Sequence, residues 1–333
     1  MASLETINER ARNSPRRIVL PEGADLRIVQ GACRAAQDGI AKIILLGDER
    51  GLREVVRAIC PSDAPIAIVD PVKSDLFEAY AECYFELRKD KAGSREGAVK
   101  AMQQPLDFAA MMVRRGDADG MVAGATMPTA DVIRAAKRVI GMASHASFVS
   151  SFFLMILDRA HHAKNGTLVF ADCGLAVEPD AQELAEIAIA SARSFKDLTG
   201  ETPKVAMLSF STHGSAKHDR VTKVVKAARI VRELDPSLLI DGELQFDAAF
   251  VPSVNASKAP NSVTRGDANV FVFPNLESAN IGYKIAERIG GATAIGPVLQ
   301  GLAKPANDLS RGCSADDVYN LIALTVVQCI GMD

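Results

Sequence analysis

The sequence predicts an α/β protein of two parallel-sheet domains with a cleft between them. Short apolar runs rich in β-branched residues recur along the chain, segments of helical spacing separate them, and 333 residues suffice for two hydrophobic cores. The apolar runs, in order, are RIVLPE (Arg17 to Glu22), KIILLG, IAIVD, GMVAGA, LVFAD, KVAMLSF, SLLIDG, NVFVFP and TAIGPVL. Such unbroken runs suit strands buried on both faces. Between them lie LRIVQGACRAAQDG, LFEAYAECYFELRK, ADVIRAAKRVIG, AQELAEIAIASARSFKDL, KHDRVTKVVKAARIVREL and ANIGYKIAERIGG, with apolar residues three and four apart. Parallel strands need crossover connections, and helices usually supply them.

The apolar FVSSFFLMIL and the polar HHAKNG after it mark the passage from one α/β unit to the next, which places a break near residue 148. The final helix after Asp317 has no strand following it and is expected to return to the first unit. Residues 1–148 with 305–333 then form one domain and residues 149–304 the other, which puts NDLSRGCS in the cleft.

Composition excludes several partners. With 38 basic and 41 acidic side chains the net charge is −3, so no overall field favours nucleic acid or an anionic membrane. Cys33, Cys60, Cys83, Cys173, Cys313 and Cys329 form no C-x-x-C pair, and no secretory leader precedes them, so a reduced cytoplasmic location is expected. No segment reaches the ~20 apolar residues that a spanning helix needs.

The stretch NDLSRGCSADD, Asn307 to Asp317, precedes the last helical run. Ser314 and Asp317 fit a capping box, in which hydroxyl and carboxylate satisfy open N–H groups. Three strand-to-helix turns are further candidates. In GMVAGATMPTADVIRAAKR, Thr129 is expected to cap a helix whose N–H groups face an anion, and Arg134 either folds back toward it or sits in solvent. KVAMLSFSTHGSAKHDR offers the hydroxyls of Ser209, Ser211, Thr212 and Ser215. In NVFVFPNLESANIGYKIAER, Ser278 or Asn280 begins a helix bearing Lys284 and Arg288. Together these turns, with Arg134, Arg288 and Arg311, suit a phosphorylated substrate.

Phosphate-loop, dinucleotide and serine-hydrolase motifs are absent, and the five histidines lack metal-ligand spacing. A general base would therefore be a carboxylate.

The blocks GMVAGATMPTADVIRAA, LVFADC, MLSFSTHGSA, DGELQFDAA, NVFVFPNLESANIGYK and IGPVLQGLAKPANDLSRGCSADD, in this order, resemble the phosphate acetyltransferase (phosphotransacetylase) family over residues 15 to 330. The resemblance implies two domains of isocitrate/isopropylmalate dehydrogenase-like architecture and a homodimer. It further implies reversible transfer of acetyl between coenzyme A and inorganic phosphate, giving acetyl-CoA or acetyl phosphate, with no metal and with coenzyme A as substrate rather than cofactor. Carried over, the family's catalytic serine, arginine and aspartate fall on Ser310, Arg311 and Asp317, and its other arginines on Arg88, Arg134 and Arg288. Arg88 would meet the coenzyme's phosphates, while Arg134 and Arg311 would hold the phosphate of acetyl phosphate. Ala279 and His213 depart from the family pattern, which bears on acyl-pocket shape and on one loop charge.

The implied chemistry holds a tension. A thiol near pKa ~8.5 must lose its proton, and a carboxylate near ~4 is roughly 6 kcal/mol too weak a base for full transfer. Transfer concerted with attack, a buried carboxyl, or a thiol pKa lowered by Arg311 and the helix dipole would relieve it. Ser310 would donate to the carbonyl oxygen. Asp316 is the lesser base, because adjacent helical residues project about 100° apart. Cys313 offers a covalent acetyl-enzyme, disfavoured because coenzyme A already brings a thiol. The rivals are phosphate butyryltransferase, a non-catalytic acetyl-CoA sensing module and a metal-dependent decarboxylating dehydrogenase of similar fold.

Overall fold

The structure, a computed structural model, describes residues 4–60, 64–91 and 93–332. Its strands are β1 (Arg16–Leu20), β2 (Ala41–Leu46), β3 (Ile66–Val69), β4 (Gly120–Ala123), β5 (Ser150–Leu157), β6 (Gly166–Ala171), β7 (Lys204–Leu208), β8 (Leu239–Leu244), β9 (Val270–Val272), β10 (Thr293–Gln300) and β11 (Ala306–Asp308). The helices are α1 (Leu4–Asn13), α2 (Leu26–Gln37), α3 (Glu49–Ile59), α4 (Phe77–Arg88), α5 (Arg95–Met102), α6 (Pro105–Arg115) and α7 (Thr129–Ala135). They continue with α8 (Ala181–Thr199), α9 (Asp219–Leu234), α10 (Phe246–Phe250), α11 (Pro252–Lys258), α12 (Leu276–Arg288) and α13 (Ala315–Gly331). None is long and apolar enough to cross a membrane.

The chain divides into two compact units, Ile7–Ser147 with Leu302–Asp333, and Met1–Thr6 with Phe148–Gly301. In the first, five strands lie in the order β11-β4-β1-β2-β3, all parallel. The chain passes from β1 outward to β3, then crosses back to place β4 on the other side of β1. That reversal is the switch point where open sheets leave a crevice at their strand ends. Helix α13 packs on β4 and β1 and against α2, and its apolar residues from Val318 to Cys329 are buried. Inside this contact, the buried Asn307 on β11 donates to Thr325 (2.9 Å) and Gln328 (2.6 Å), which ties the edge strand to α13.

The second unit holds six strands in the order β10-β5-β6-β9-β7-β8. It corrects the expectation of parallel strands throughout, since β5 runs antiparallel to both β10 and β6. FVSSFFLMIL, read as a passage between units, forms β5 itself. The polar turn that follows, HHAKNG included, contains no helix, and strands joined without a crossover pair antiparallel. Phe170 and Phe271 lie 5.5 Å apart at the centre of this core. Helix α8 has an Asp180/Glu183 capping box at its start and the left-handed Gly200 (φ 74°) at its end, so both termini are satisfied locally.

Candidate functional site

Three neighbouring parallel strands of the first unit end side by side: β1 runs into Glu22, β4 into Gly124, and β11 into Leu309 and Ser310. Glu22 is buried, and its carboxylate accepts from the N–H groups of Gly124 (2.7 Å), Ala125 (2.9 Å), Thr126 (2.7 Å) and Met127 (2.9 Å) and from the Thr126 hydroxyl (2.6 Å). The turn expected to receive a substrate anion is therefore filled by a carboxylate of the chain's own. Nothing in the hydrophobic pattern signals this, because Glu22 reads as the polar end of a strand.

Thr129 also differs from expectation. The N-cap of α7 is Pro128, which makes no side-chain bond, and Thr129 is the first helical residue. A proline cap leaves the threonine hydroxyl for another partner, and it lies 2.6 Å from Asp308 Oδ2. Asp308, within the NDLSRG stretch, is buried, and its Oδ1 has no hydrogen-bond partner. Burial pushes its carboxyl up to about 7; the bond from Thr129 pulls the other way, and the charge of Glu22 adds to the rise.

The loop after Asp308 is anchored through its carbonyls. Arg27 Nη1 donates to the carbonyl oxygens of Arg311 (2.8 Å) and Cys313 (3.1 Å), and Nη2 donates to that of Ala125 (2.9 Å) and to Asp25 (2.7 Å). That bond to Arg27 holds the Asp25 carboxyl below the usual carboxylate range. Neither residue is a candidate in the sequence, where Arg27 falls inside the helical run LRIVQGACRAAQDG and Asp25 just before it. With its backbone held, the Arg311 side chain is exposed and makes no hydrogen bond or ion pair among the described residues. Ser310 is exposed as well, and its Oγ accepts from Gly312 N at 3.3 Å.

Asp317 sits one turn further on. Ser314 caps α13 as the sequence predicts: its hydroxyl (2.9 Å) and N–H (2.8 Å) donate to Asp317 Oδ2, and Asp317 N–H donates back to Ser314 Oγ (3.2 Å). Asp316 points elsewhere and pairs with Arg34. Cys313 is buried, which pushes its thiol up; Arg27 opposes the shift, and Asp317, Asp25 and Glu22 add to it. A thiol held protonated is a poor nucleophile.

Of the remaining arginines, Arg134 pairs with Asp131 at 2.6 Å and is 64% exposed, closer to its solvent reading. Arg88 ends α4, half-buried beside Tyr84; its carbonyl accepts from the Gly93 N–H (3.0 Å), and its guanidinium makes no hydrogen bond or ion pair among the described residues. Arg288 belongs to the second unit, where it ends α12 and pairs with its neighbour Glu287 at 3.3 Å. The cap of α12 is Asn275 rather than Ser278 or Asn280, because its Oδ1 reaches the Ser278 N–H (3.0 Å).

Two of the strand-to-helix turns of the second unit border one hollow of about 410 Å³ at the ends of β7 and β9. Phe210, Phe246 and Phe273 form its apolar walls, with Ser209, Ser278 and Arg220 among the polar groups. His213 takes a left-handed φ of 46° and lies 3.1 Å from Asp241, so this departure from the family pattern is met by a carboxylate. Ala279 is fully buried in the aromatic core, so the other departure concerns packing. Among the described residues no group of three His, Cys, Asp or Glu side chains is set to hold a metal.

Against known proteins, residues 2–326 match the family described as "Phosphate acetyl/butaryl transferase". The phosphate acetyltransferase of Acetivibrio thermocellus is 46% identical over 328 residues, 98% of each chain. A crystal structure of a phosphotransacetylase from Streptococcus pyogenes superposes with a TM-score of 0.91 at 44% identity, covering 99% of both chains. A branched-chain phosphotransacylase from Enterococcus faecalis, 17% identical with a TM-score of 0.67 over 94% of this chain and 99% of that one, shares the fold. The strand order, the switch-point loops and these matches together establish that the chain belongs to the phosphate acetyltransferase family and is an acyltransferase.

Proposed function

We propose that the chain moves an acetyl group between coenzyme A and inorganic phosphate by direct attack of the coenzyme's sulfur on acetyl phosphate in a ternary complex. The observation that carries this reading is the exposed, unpaired Arg311, held by its carbonyl on Arg27 at the ends of β1, β4 and β11. A planar guanidinium pairs two phosphate oxygens at once and keeps its charge at any working pH. Ser310, one residue before it, donates to the carbonyl oxygen as charge develops there. Asp317 takes the thiol proton, and because it lies in solvent on a helix cap, that transfer runs together with sulfur attack rather than ahead of it. Arg88, Arg134 and Arg288 are substrate arginines in this reading, each to be tested by its effect on KM.

Acetyl is favoured over longer acyl groups because relatives named for acetyl transfer are 44–46% identical, while the branched-chain enzyme is 17% identical. A homodimer is part of the reading. It is supported by Ile281 and Ile285 of α12 and Ile289 at its C-cap, which are 58%, 53% and 83% exposed. The test mixes protein with acetyl phosphate and coenzyme A and follows thioester absorbance, with propionyl and butyryl phosphate alongside. Absence of thioester from folded protein rejects the reading, and a preference for butyryl phosphate corrects the acyl group.

A further inference from the structure

Two carboxyl groups sit at the switch point, and the hydrogen-bond donors are divided very unequally between them. Glu22 accepts five hydrogen bonds from Gly124–Met127, whereas Asp308 has one partner, Thr129 Oγ1, and a buried Oδ1 with none. Oδ1 abuts the backbone of Gly124, where a built Cβ would lie 2.2 Å away, so no donor side chain has room to reach it there. A buried ionised carboxylate needs several donors, and one left with a single partner is stabilised by keeping its proton.

We propose that Asp308 is a positioning residue that acts as a carboxylic acid, donating its proton in a hydrogen bond to Thr129 Oγ1 and so turning the Thr129 hydroxyl hydrogen outward, toward the anionic substrate. This rests on the acetyl-transfer reading above. Thr129 is half-exposed at the start of α7, so its hydrogen has open space on the side away from Asp308. No covalent bond changes: one hydroxyl accepts from the buried acid and donates outward. When Asp308 ionises, the same hydroxyl must donate inward, and the outward hydrogen bond is lost. The groups facing Asp308 are Glu22 from the segment after β1, Thr129 from α7, and the uncharged Ala123 at the end of β4 and Gly124 just after it. Arg27 and Asp25, nearby, are occupied by each other and by the loop carbonyls. Burial, which raises the Asp308 carboxyl to about 7, brings the switch into the working range.

The test measures kcat/KM for acetyl phosphate from pH 5.5 to 9. Wild type is expected to lose activity as pH rises past neutrality, through KM rather than kcat. Asp308→Asn supplies an N–H to the same hydroxyl without titrating, so it is expected to stay within about 3-fold of wild type at pH 6 and to lack that alkaline rise in KM. Thr129→Val is expected to raise KM by about 10-fold or more, with Thr129→Ser restoring it. An Asp308→Asn profile that keeps the wild-type rise overturns the proposal, as does a Thr129→Val enzyme with unchanged KM. Should Asp308→Asn fail to fold, carbon-13 NMR of wild-type aspartate carboxyls decides: one must titrate near neutrality, and if none does the proposal falls. That titration needs no turnover, so it separates this proposal from the acetyl-transfer reading, which fails if wild type makes no thioester.

Discussion

Gly31 of α2 faces Val318 of α13 so closely that a Cβ built on Gly31 would lie 2.7 Å from Val318 Cβ and 2.7 Å from the Ala315 carbonyl oxygen. The first turn of α13, which carries Asp317, is therefore seated directly on a glycine. Gly31→Ala is expected to destabilise the protein by about 1–2 kcal/mol, because overpacking outweighs the ~1 kcal/mol that alanine gains in helix propensity. Thermal melts check this, and an unchanged or higher Tm would show that the helices separate freely.

Glu22 anchors the Gly124–Met127 turn through its five hydrogen bonds. Glu22→Ala leaves these donors without their partner and is expected to cost about 3–4 kcal/mol, seen as a lower urea midpoint. Glu22→Gln, which keeps one carbonyl acceptor and adds a competing donor, should fall between. Variants as stable as wild type would mean that water replaces the carboxylate without penalty.

Capping and catalysis share one turn, and two substitutions separate them. Ser314→Ala removes the cap at a cost of about 1 kcal/mol while leaving the Asp317 carboxylate, so turnover should change little. Asp317→Asn is expected to lower kcat by about 100-fold or more with near-normal KM. Equal, small losses in both variants would return Asp317 to a capping role alone.

A buried thiol pushed above its ordinary pKa reacts slowly, so Cys313 should resist iodoacetamide in native protein. Cys313→Ala is expected to keep turnover within a few-fold. Loss of activity together with a trapped acetyl-cysteine would restore the covalent route.

The pH dependence of stability separates two carboxyls of opposite sign. Asp308, raised to about 7 against ~3.9 in an unfolded chain, binds its proton more tightly when folded. Its burial therefore costs nothing below pH ~4, costs increasingly from pH ~4 to ~7 and levels off above, reaching a few kcal/mol at most. Asp308→Asn should thus gain on wild type as pH rises through that window. Asp25, lowered by Arg27, contributes stability that is present above pH ~4 and lost as pH falls further, so the effect of Asp25→Asn should be flat from pH 5 to 8. Urea midpoints at pH 5, 6 and 8 decide both.

Much of this site was legible in the chain before it was folded, because the signals are local. The Ser314/Asp317 capping box is a four-residue pattern, and the strand-to-helix turns follow from runs such as GMVAGA and KVAMLSF. The resemblance carried by ordered motifs singles out Ser310, Arg311 and Asp317 as the proposed reacting set. The antiparallel β5 was harder to read, since a buried edge-to-edge pairing and a parallel one draw on the same apolar residues.

By itself the sequence determined the alternation of strands and helices, the family and the candidate reacting residues, all of which depend on neighbours a few positions apart or on motif order. Only tertiary structure decided which anion fills the Gly124–Met127 turn, that Arg27 holds the loop carrying Arg311, and that Asp308 is buried against Thr129. Those pairs lie 102, 284 and 179 positions apart. Hydrogen bonds and desolvation depend on distance in space, and that distance exists only once β11, β4 and β1 lie side by side.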